Sequence, residues 1–283
     1  MLKLRSSGRG ARFTVWRGLA ESLERVLFAG GWPGKLHDLR GVDVTVQRHE
    51  VAAGRGGRPA LRIGFVSDLH IGPLTSPRLI QRAFDRLVEL APDLLVLGGD
   101  YVSYDVTAAG AALLTALVAR VPAATKVAVL GNHDLWTRHL EIEGALAAGG
   151  ARVLVNDAVR LPPPHDDVAV VGLDDPWTGA PDGTRAFAAA GDAPIRIAVV
   201  HAPEGYPYVR DRGAALMLAG HTHGGQIATP YGPIVVHGHF GRRWPAGRYD
   251  IDGLPLYVAR GIGTVEIPIR LFAPPDVALI AVR

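Results

Sequence analysis

The sequence predicts an α/β fold, and three observations predict it. Short apolar runs of strand length recur along the chain, and several are followed by a helical pattern. Successive runs end in Asp, Asn or His, often after a glycine. The composition is globular: 283 residues, 48% hydrophobic and 20% charged, enough for one large domain or two small ones.

The elements follow in order. Residues 1–12 are basic and rich in Gly and Ser, and are expected to be mobile. Phe13–Phe28 reads as an amphipathic helix, with Trp16, Leu19, Leu23, Val26 and Leu27 near helical spacing. Its apolar face is expected either to pack on the domain or a second subunit, or to lie on an anionic membrane. Gly30–Leu39 reads as a turn-rich link. Val42, Val44 and Val46 alternate with polar residues and predict a half-buried strand. Ile63–Gly72 (IGFVSDLHIG) predicts a buried strand with Asp68 and His70 at its end.

Ser76-Pro77 is a helix start, and Leu79, Ile80, Ala83, Phe84, Leu87 and Val88 form its apolar face. Leu94–Leu97 predicts a short strand ending in Gly98-Gly99-Asp100, followed by an Ala-rich helix over Val106–Ala119. Lys126–Leu130 predicts a strand ending in Gly131-Asn132-His133-Asp134. A helix over 139–148 and strands over 152–155 and 168–173 come next. Ile195–Val200 ends at His201, and Ala214–Ala219 ends in Gly220-His221-Thr222-His223. Beyond that the chain is β-rich and irregular, with strands expected at Ile234–Val236, Leu256–Ala259 and Val277–Val282.

Composition excludes several function classes. Formal net charge is only +3, and no Lys/Arg stripe with interleaved aromatics marks a nucleic-acid surface. The chain has no cysteine, so disulfides and thiolate metal sites are ruled out. No stretch reaches the ~18 apolar residues of a membrane span. Lys3, Arg5, Arg9 and Arg12 resemble a signal n-region, but Arg17, Glu21, Glu24 and Arg25 interrupt any apolar core behind them. The expected location is cytoplasmic, with peripheral attachment at the inner membrane face through residues 13–28 as the variant of that reading.

The strand ends carry the chemistry. Asp68/His70, Asp100, Asn132/His133, His201 and His221/His223 each follow an apolar run. In open α/β sheets, sites are built at the carboxyl ends of strands. Desolvating so many polar groups at one sheet edge is costly unless something compensates them. Imidazoles, carboxylates and an amide oxygen without sulfur suit Mn, Fe, Zn, Co or Ni. Seven ligands exceed one tetrahedral site, so two divalent metals sharing a bridging carboxylate fit better, a clamp suited to displacement at phosphorus.

Asp68-x-His70, Gly99-Asp100, Gly131-Asn132-His133-Asp134, His201 and Gly220-His221-Thr222-His223 together resemble the signature of the calcineurin-like metallophosphoesterases. The resemblance implies a four-layer αββα sandwich of two mixed β-sheets flanked by helices, over 41–283, behind a basic N-terminal segment 1–40. It implies one metal held by Asp68, His70 and His223, another by Asn132, His201 and His221, and Asp100 bridging both. It implies that His133 stabilises the transition state or protonates the leaving group. Asp134 is expected to orient His133 or a ligand histidine, or else to cap a helix. A narrower resemblance lies in His223–Ile227, Tyr257–Gly263 (YVARGIG) and Pro268–Leu271 (PIRL). It is to a bacterial branch that includes cell-envelope phosphodiesterases and a peripheral UDP-2,3-diacylglucosamine pyrophosphatase.

The expected reaction is hydrolysis of a P–O bond by a metal-bridging hydroxide. The expected substrate is a phosphoester, with a lipid-linked diphosphate first. A soluble nucleotide or protein phosphohydrolase is the alternative, and a non-catalytic scaffold stands third. Arg260, inside YVARGIG, is a substrate-phosphate candidate, ahead of Arg242 and Arg243. His237 and His239 are expected to line the cleft or sit on the surface. Asp174-Asp175 reads as a sixth strand-end contribution or a turn. Trp177, Phe240 and Trp244 read as an apolar rim or as core.

Overall fold

The structure, a computed structural model, describes residues 15–39 and 42–283. The basic segment 1–12, and Phe13 of the expected helix, lie outside the described residues. The chain begins with α1 (Val15–Leu27) and α2 (Trp32–Leu39), then β1 (Thr45–Val51) and β2 (Leu61–Val66). Then come α3 (Pro77–Leu90), β3 (Leu94–Leu97), α4 (Ala108–Arg120), β4 (Thr125–Ala128), α5 (Asn132–Leu135), α6 (His139–Ala148) and β5 (Arg152–Val153). The second half contains β6 (Asp157–Arg160), β7 (Val168–Gly172), α7 (Gly183–Ala189), β8 (Ile195–Val199), α8 (Tyr206–Val209) and β9 (Leu216–Ala219). It closes with β10 (Ala228–Thr229), β11 (Gly232–Pro233), α9 (His239–Arg243), β12 (Gly247–Ile251), β13 (Leu254–Val258) and β14 (Asp276–Val282).

Two mixed sheets form. The first runs β1-β14-β2-β3-β4-β5, the second β12-β13-β9-β8-β7-β6. Within them β2 to β5 are parallel, as are β13, β9, β8 and β7. The central strands read as unbroken apolar runs because both of their faces are buried. In β3, Leu94 and Val96 face the second sheet, while Leu95 and Leu97 face α3, α4 and α6. In β9, Leu216 and Leu218 face the first sheet, while Met217 and Ala219 face the outer layer with α7 and α8. Three cores between four layers make the αββα sandwich.

Local chemistry sets the element ends. Ser76 caps α3, accepting from the amides of Arg78 and Leu79, and Pro77 fills the first turn. Thr107 caps α4 by accepting from Gly110. The first strand lies three residues later than the Val42–Val46 pattern indicated, because it pairs with β14 from Thr45↔Asp276 to Val51↔Val282. Gly30–Leu39 is not merely a link. It contains α2, whose Gly34 lies so close to the Ser76 backbone that a Cβ would meet it at 2.9 Å. Ile234–Val236 is not a strand; only Gly232–Pro233 pairs, with Ala228–Thr229. The edge strands β6 and β12 escape the apolar pattern because they are partly solvated.

Among the described residues, no helix is long and apolar enough to cross a membrane. The polar side of α1 is tied to the domain, where Tyr104 donates to Glu24 and the Arg25 guanidinium lies 5.2 Å from the Tyr104 ring centre. Its Leu19, Leu23, Val26 and Leu27 are exposed.

Candidate metal centre

The loops that leave β2, β3 and β4 of the first sheet and β8 and β9 of the second bring all seven expected ligands together. Their backbones are unusual. Asp68, His70, Asp100, His221 and His223 all have positive φ, between 44° and 71°. Residues other than Gly rarely adopt this region, although Asp and His do so more readily than most. Such conformations persist only where surrounding structure over-determines them. Here the close approach of two loops does so. A Cβ on Gly131 would overlap the Asp100 carboxylate, and one on Gly99 (φ 95°) would lie 2.8 Å from His201 Nδ1.

Two triads result. Asp68, His70 and His223 place one candidate ligand atom each within 4.8 Å of one another, as do Asp100, His201 and His221. The groups are buried or nearly so. His223 Nε2 lies 3.1 Å from His70 Nε2 and 3.4 Å from Asp68 Oδ1. His201 Nε2 lies 3.2 Å from Asp100 Oδ2 and 3.3 Å from His221 Nδ1. Asp100 Oδ2 also lies 3.6 Å from His70 Nε2, so this carboxylate touches both triads. A third grouping, His70, Asp100 and His133, overlaps them. The Asn132 amide oxygen is buried without a hydrogen-bond partner at the N-terminus of α5, and lines the same cleft of about 290 Å³.

These residues fit a metal pair. Burial without a cation is costly for so many donors, and the orphaned Asn132 oxygen is what a ligand position requires. The electrostatics agree. Burial pushes His70 and His223 well below the ordinary imidazole range, and His221 down to about 3, so these rings are neutral donors. Burial raises Asp68 to about 6 when no cation faces it. Burial also opposes the charges on Asp100 and His201. Their mutual attraction outweighs it, holding Asp100 low and His201 high. His201 Nδ1 donates to the Gly98 carbonyl at 2.8 Å, which leaves Nε2 as its ligating atom.

His133 lies at the cleft wall. Its Nδ1 meets the Ser103 carbonyl at 2.7 Å, which fixes that nitrogen as the protonated one and presents Nε2 to the cleft. The Asp134 carboxylate accepts from the amides of Asp100 (2.8 Å), Tyr101 (2.8 Å) and Gly131 (2.9 Å). Of the expected roles, these bonds are those of a helix cap rather than of an imidazole orienter. The cap also grips the loop that holds Asp100, a link the sequence did not disclose. Burial and the Asp100 charge push Asp134 up to about 8, against the amides of Gly131 and Tyr101.

Arg260 has a buried partner. Its guanidinium pairs at 3.2 Å with the buried Asp276, whose other oxygen accepts from the Arg260 amide. A structural partner thus holds the group expected to bind substrate phosphate. Arg242 donates to the Gly238 carbonyl, and Arg243 lies over Trp244. Phe240 and Trp244 stack in the outer core, while Trp177 lies 5.3 Å from the His221 ring and lines the cleft with His237. Asp174 and Asp175 are buried, and accept from the amides of the loop bearing Trp177. One residue was missed as a site element. Buried Arg270 reaches His223 Nδ1 at 3.2 Å and the carbonyls of Arg260, Gly263 and Ala273. Its place in the PIRL block was the available signal.

Comparison with known proteins agrees with this geometry. Residues 61–225 match the family model described as calcineurin-like phosphoesterase. The Escherichia coli phosphodiesterase YaeI is 31% identical over 241 residues, covering 82% of this chain and 86% of that protein. The uncharacterized metallophosphoesterase YkuE of Bacillus subtilis is 27% identical over 263 residues, covering 91% and 92%. Among solved structures, the sulfate thiohydrolase SoxB of Thermus thermophilus aligns at 15% identity with a TM-score of 0.47, over 78% of this chain and 56% of that one. With its metal-ligand clusters in place, the chain belongs to the calcineurin-like metallophosphoesterases, and is a metal-dependent phosphoric ester hydrolase.

Proposed function

We propose that this chain is a dinuclear phosphodiesterase or pyrophosphatase. Asp68, His70 and His223 would hold one divalent metal, and Asn132, His201 and His221 would hold the other. Asp100 would serve both. Mn, Fe and Zn suit this nitrogen and oxygen donor set. The observation that carries the reading is the position of Asp100, within reach of both triads. When bound, the pair would supply an acidified water as nucleophile near neutral pH and positive charge for the phosphoryl oxygens.

The chain's own groups supply the rest. His133, held through Nδ1 by the Ser103 carbonyl, turns Nε2 to the cleft, where it assists departure of the leaving oxygen. Asp134 fixes the backbone of Asp100 and Gly131, and so sets the ligand's position against its neighbours. Arg270 donates to the His223 carbonyl and so steadies the backbone that carries this ligand candidate.

The substrate class placed first is a lipid-linked diphosphate such as UDP-2,3-diacylglucosamine. Peripheral attachment at the inner membrane face accompanies it, through residues 13–28. The exposed Leu19, Leu23, Val26 and Leu27 of α1 support the attachment. Covering such a side chain fully is worth about 1.5–3 kcal/mol. Leu23→Glu should release the protein from anionic vesicles while its metal content stays the same; undiminished sedimentation with vesicles would refute that attachment.

The central test combines elemental analysis with cleavage of bis-p-nitrophenyl phosphate in Mn(II). Two metals per chain and activity lost on chelation are expected. A metal-free, inactive protein under every divalent ion tried would overturn the reading.

A further inference from the structure

Beside the metal cleft runs a second depression of about 510 Å³. Ile227, Ile234, Val235, Val236 and Ile267 line it. His221, His223, His237, Val265 and Glu266 belong to both spaces, so the groove opens directly onto the metal centre. Its aliphatic walls are strongly exposed: Ile234 and Val235 at 63%, Ile267 at 49%. Isolated exposed aliphatics are ordinary, but a cluster that walls a groove at an active centre marks a contact surface.

The groove is held open by the chain itself. The β10–β11 hairpin and the 265–272 loop are joined by the bonds Ala228 N to Leu271 O (2.8 Å) and Leu271 N to Gln226 O (2.9 Å). The Gln226 side chain clasps the loop from below. Its amide nitrogen donates to the carbonyls of Val265 (3.0 Å) and Ile267 (2.6 Å), and its oxygen accepts from the Val265 amide (2.8 Å). A groove preformed in this way does not lose the ordering entropy that a collapsed one would on binding.

The lining selects the occupant. Among the described residues no Lys or Arg lines the groove, and Glu266 stands at its junction with the cleft, so a second phosphate or a polyanion is disfavoured there. Among them no Phe, Tyr or Trp offers a base a stacking surface. The Gln226 amide is already consumed by backbone. What remains is aliphatic wall leading to a phosphoryl-binding centre.

We propose that this groove receives a linear alkyl chain of the substrate, whose phosphoryl group lies at the metal centre. The proposal rests on the phosphoesterase reading above, and makes the substrate an amphiphilic phosphoester. It locates the selectivity in the Ile227–Ile267 groove rather than in the metal ligands.

The test is calorimetric binding of methyl phosphate and octyl phosphate to the metal-loaded protein, both as monomers below micelle formation. A fully buried methylene strengthens binding up to about fourfold, so octyl phosphate should bind at least about tenfold tighter even with partial burial. Val235→Asp and Ile267→Asp alter exposed positions that the fold tolerates, and either should bring the two affinities to within about threefold. A parallel series of p-nitrophenyl alkyl phosphodiesters should show the same ratio in kcat/KM. Equal affinities for methyl and octyl phosphate in the unsubstituted protein would overturn the proposal. So would an octyl preference that survives both substitutions, since the chain would then lie elsewhere. A flat ester series with vesicle binding lost in both variants would also overturn it, making the groove a membrane contact instead. Failure to cleave any ester while the octyl preference persists would strike the phosphodiesterase reading and leave the groove standing.

Discussion

The metal edge and the aliphatic rim beside it are built in opposite ways. At the edge, seven polar side chains are packed into a buried cluster, five of them on backbones with positive φ. Each loop there is pinned by another: Asp134 holds Asp100, Gly131 approaches Asp100, and the Gly98 carbonyl fixes His201. At the rim, residues 227–238 and 259–272 hold no regular structure beyond the short β10–β11 hairpin, and expose Ile234, Val235, Ile267, Ile269, Leu271 and Phe272. The edge stores strain and cancels it with contacts, as a reaction centre must. The rim leaves apolar surface unspent, as a recognition surface does. On the reading proposed above, reaction class belongs to the first region and substrate choice to the second, so substitutions in the two should separate by readout.

The sharpest break in the contrast is Asp100→Asn. It removes a charge shared by both triads, and metal affinity should fall by more than the 10–100-fold typical of outer partners of a ligand. Elemental analysis should find fewer than two metals per chain; retention of two would refute the bridge. His133→Ala comes next. With Nε2 gone, kcat should drop about 10²–10⁴-fold, the usual range for an acid–base group, with both metals still bound. Loss of metal together with activity would reassign His133 as a ligand, in the third grouping with His70 and Asp100.

Much of this contrast was readable in the residues. β3 and the α3 start at Ser76-Pro77 follow the sequence pattern to the residue, because a run buried on both faces and a Ser-Pro cap are local signals. The candidate ligands that the fold brings together were legible for the same reason: each ends an apolar run. The rim was not. Ile234–Val236 has strand composition, but the irregular chain around it supplies no partner. α2 was hidden behind Gly30, Gly31, Pro33 and Gly34, residues that mark turns unless a tertiary contact, here Gly34 against Ser76, favours the helix. Arg260 and Arg270 illustrate the limit most directly. Both lie in family-like blocks, but only the fold shows that Arg260 answers Asp276 while Arg270 reaches a ligand histidine.

Asp134→Asn probes the edge more gently. The amide keeps one acceptor oxygen and turns the other group into a donor facing backbone N–H groups. The bonds to Asp100, Tyr101 and Gly131 cannot all survive. Metal affinity should weaken by about 10–100-fold, as for a lost supporting partner, while the saturated enzyme keeps most of its kcat. Titration of the metal-free protein with Mn(II) separates the two. A variant with wild-type metal affinity would show that the Asp100 loop needs no clasp.

The smallest expected effect lies at the rim, and it decides whether the two regions are independent. Gln226 is three residues from His223, but its side chain bonds only to the 265–267 backbone. Gln226→Ala breaks three hydrogen bonds next to partly solvated groups. Each is worth about 0.5–1.5 kcal/mol net, and water can recover part of the loss. A drop in Tm of several degrees is expected for a domain of this size. If the rim is a separate device, the variant keeps two metals per chain and loses preference for the longer alkyl phosphate, because the loop that bears Ile267 is no longer held. If metal is lost as well, the clasp must act through His223. The rim would then be part of the centre's support, and the division between reaction and recognition would fail at the residue where the two regions meet.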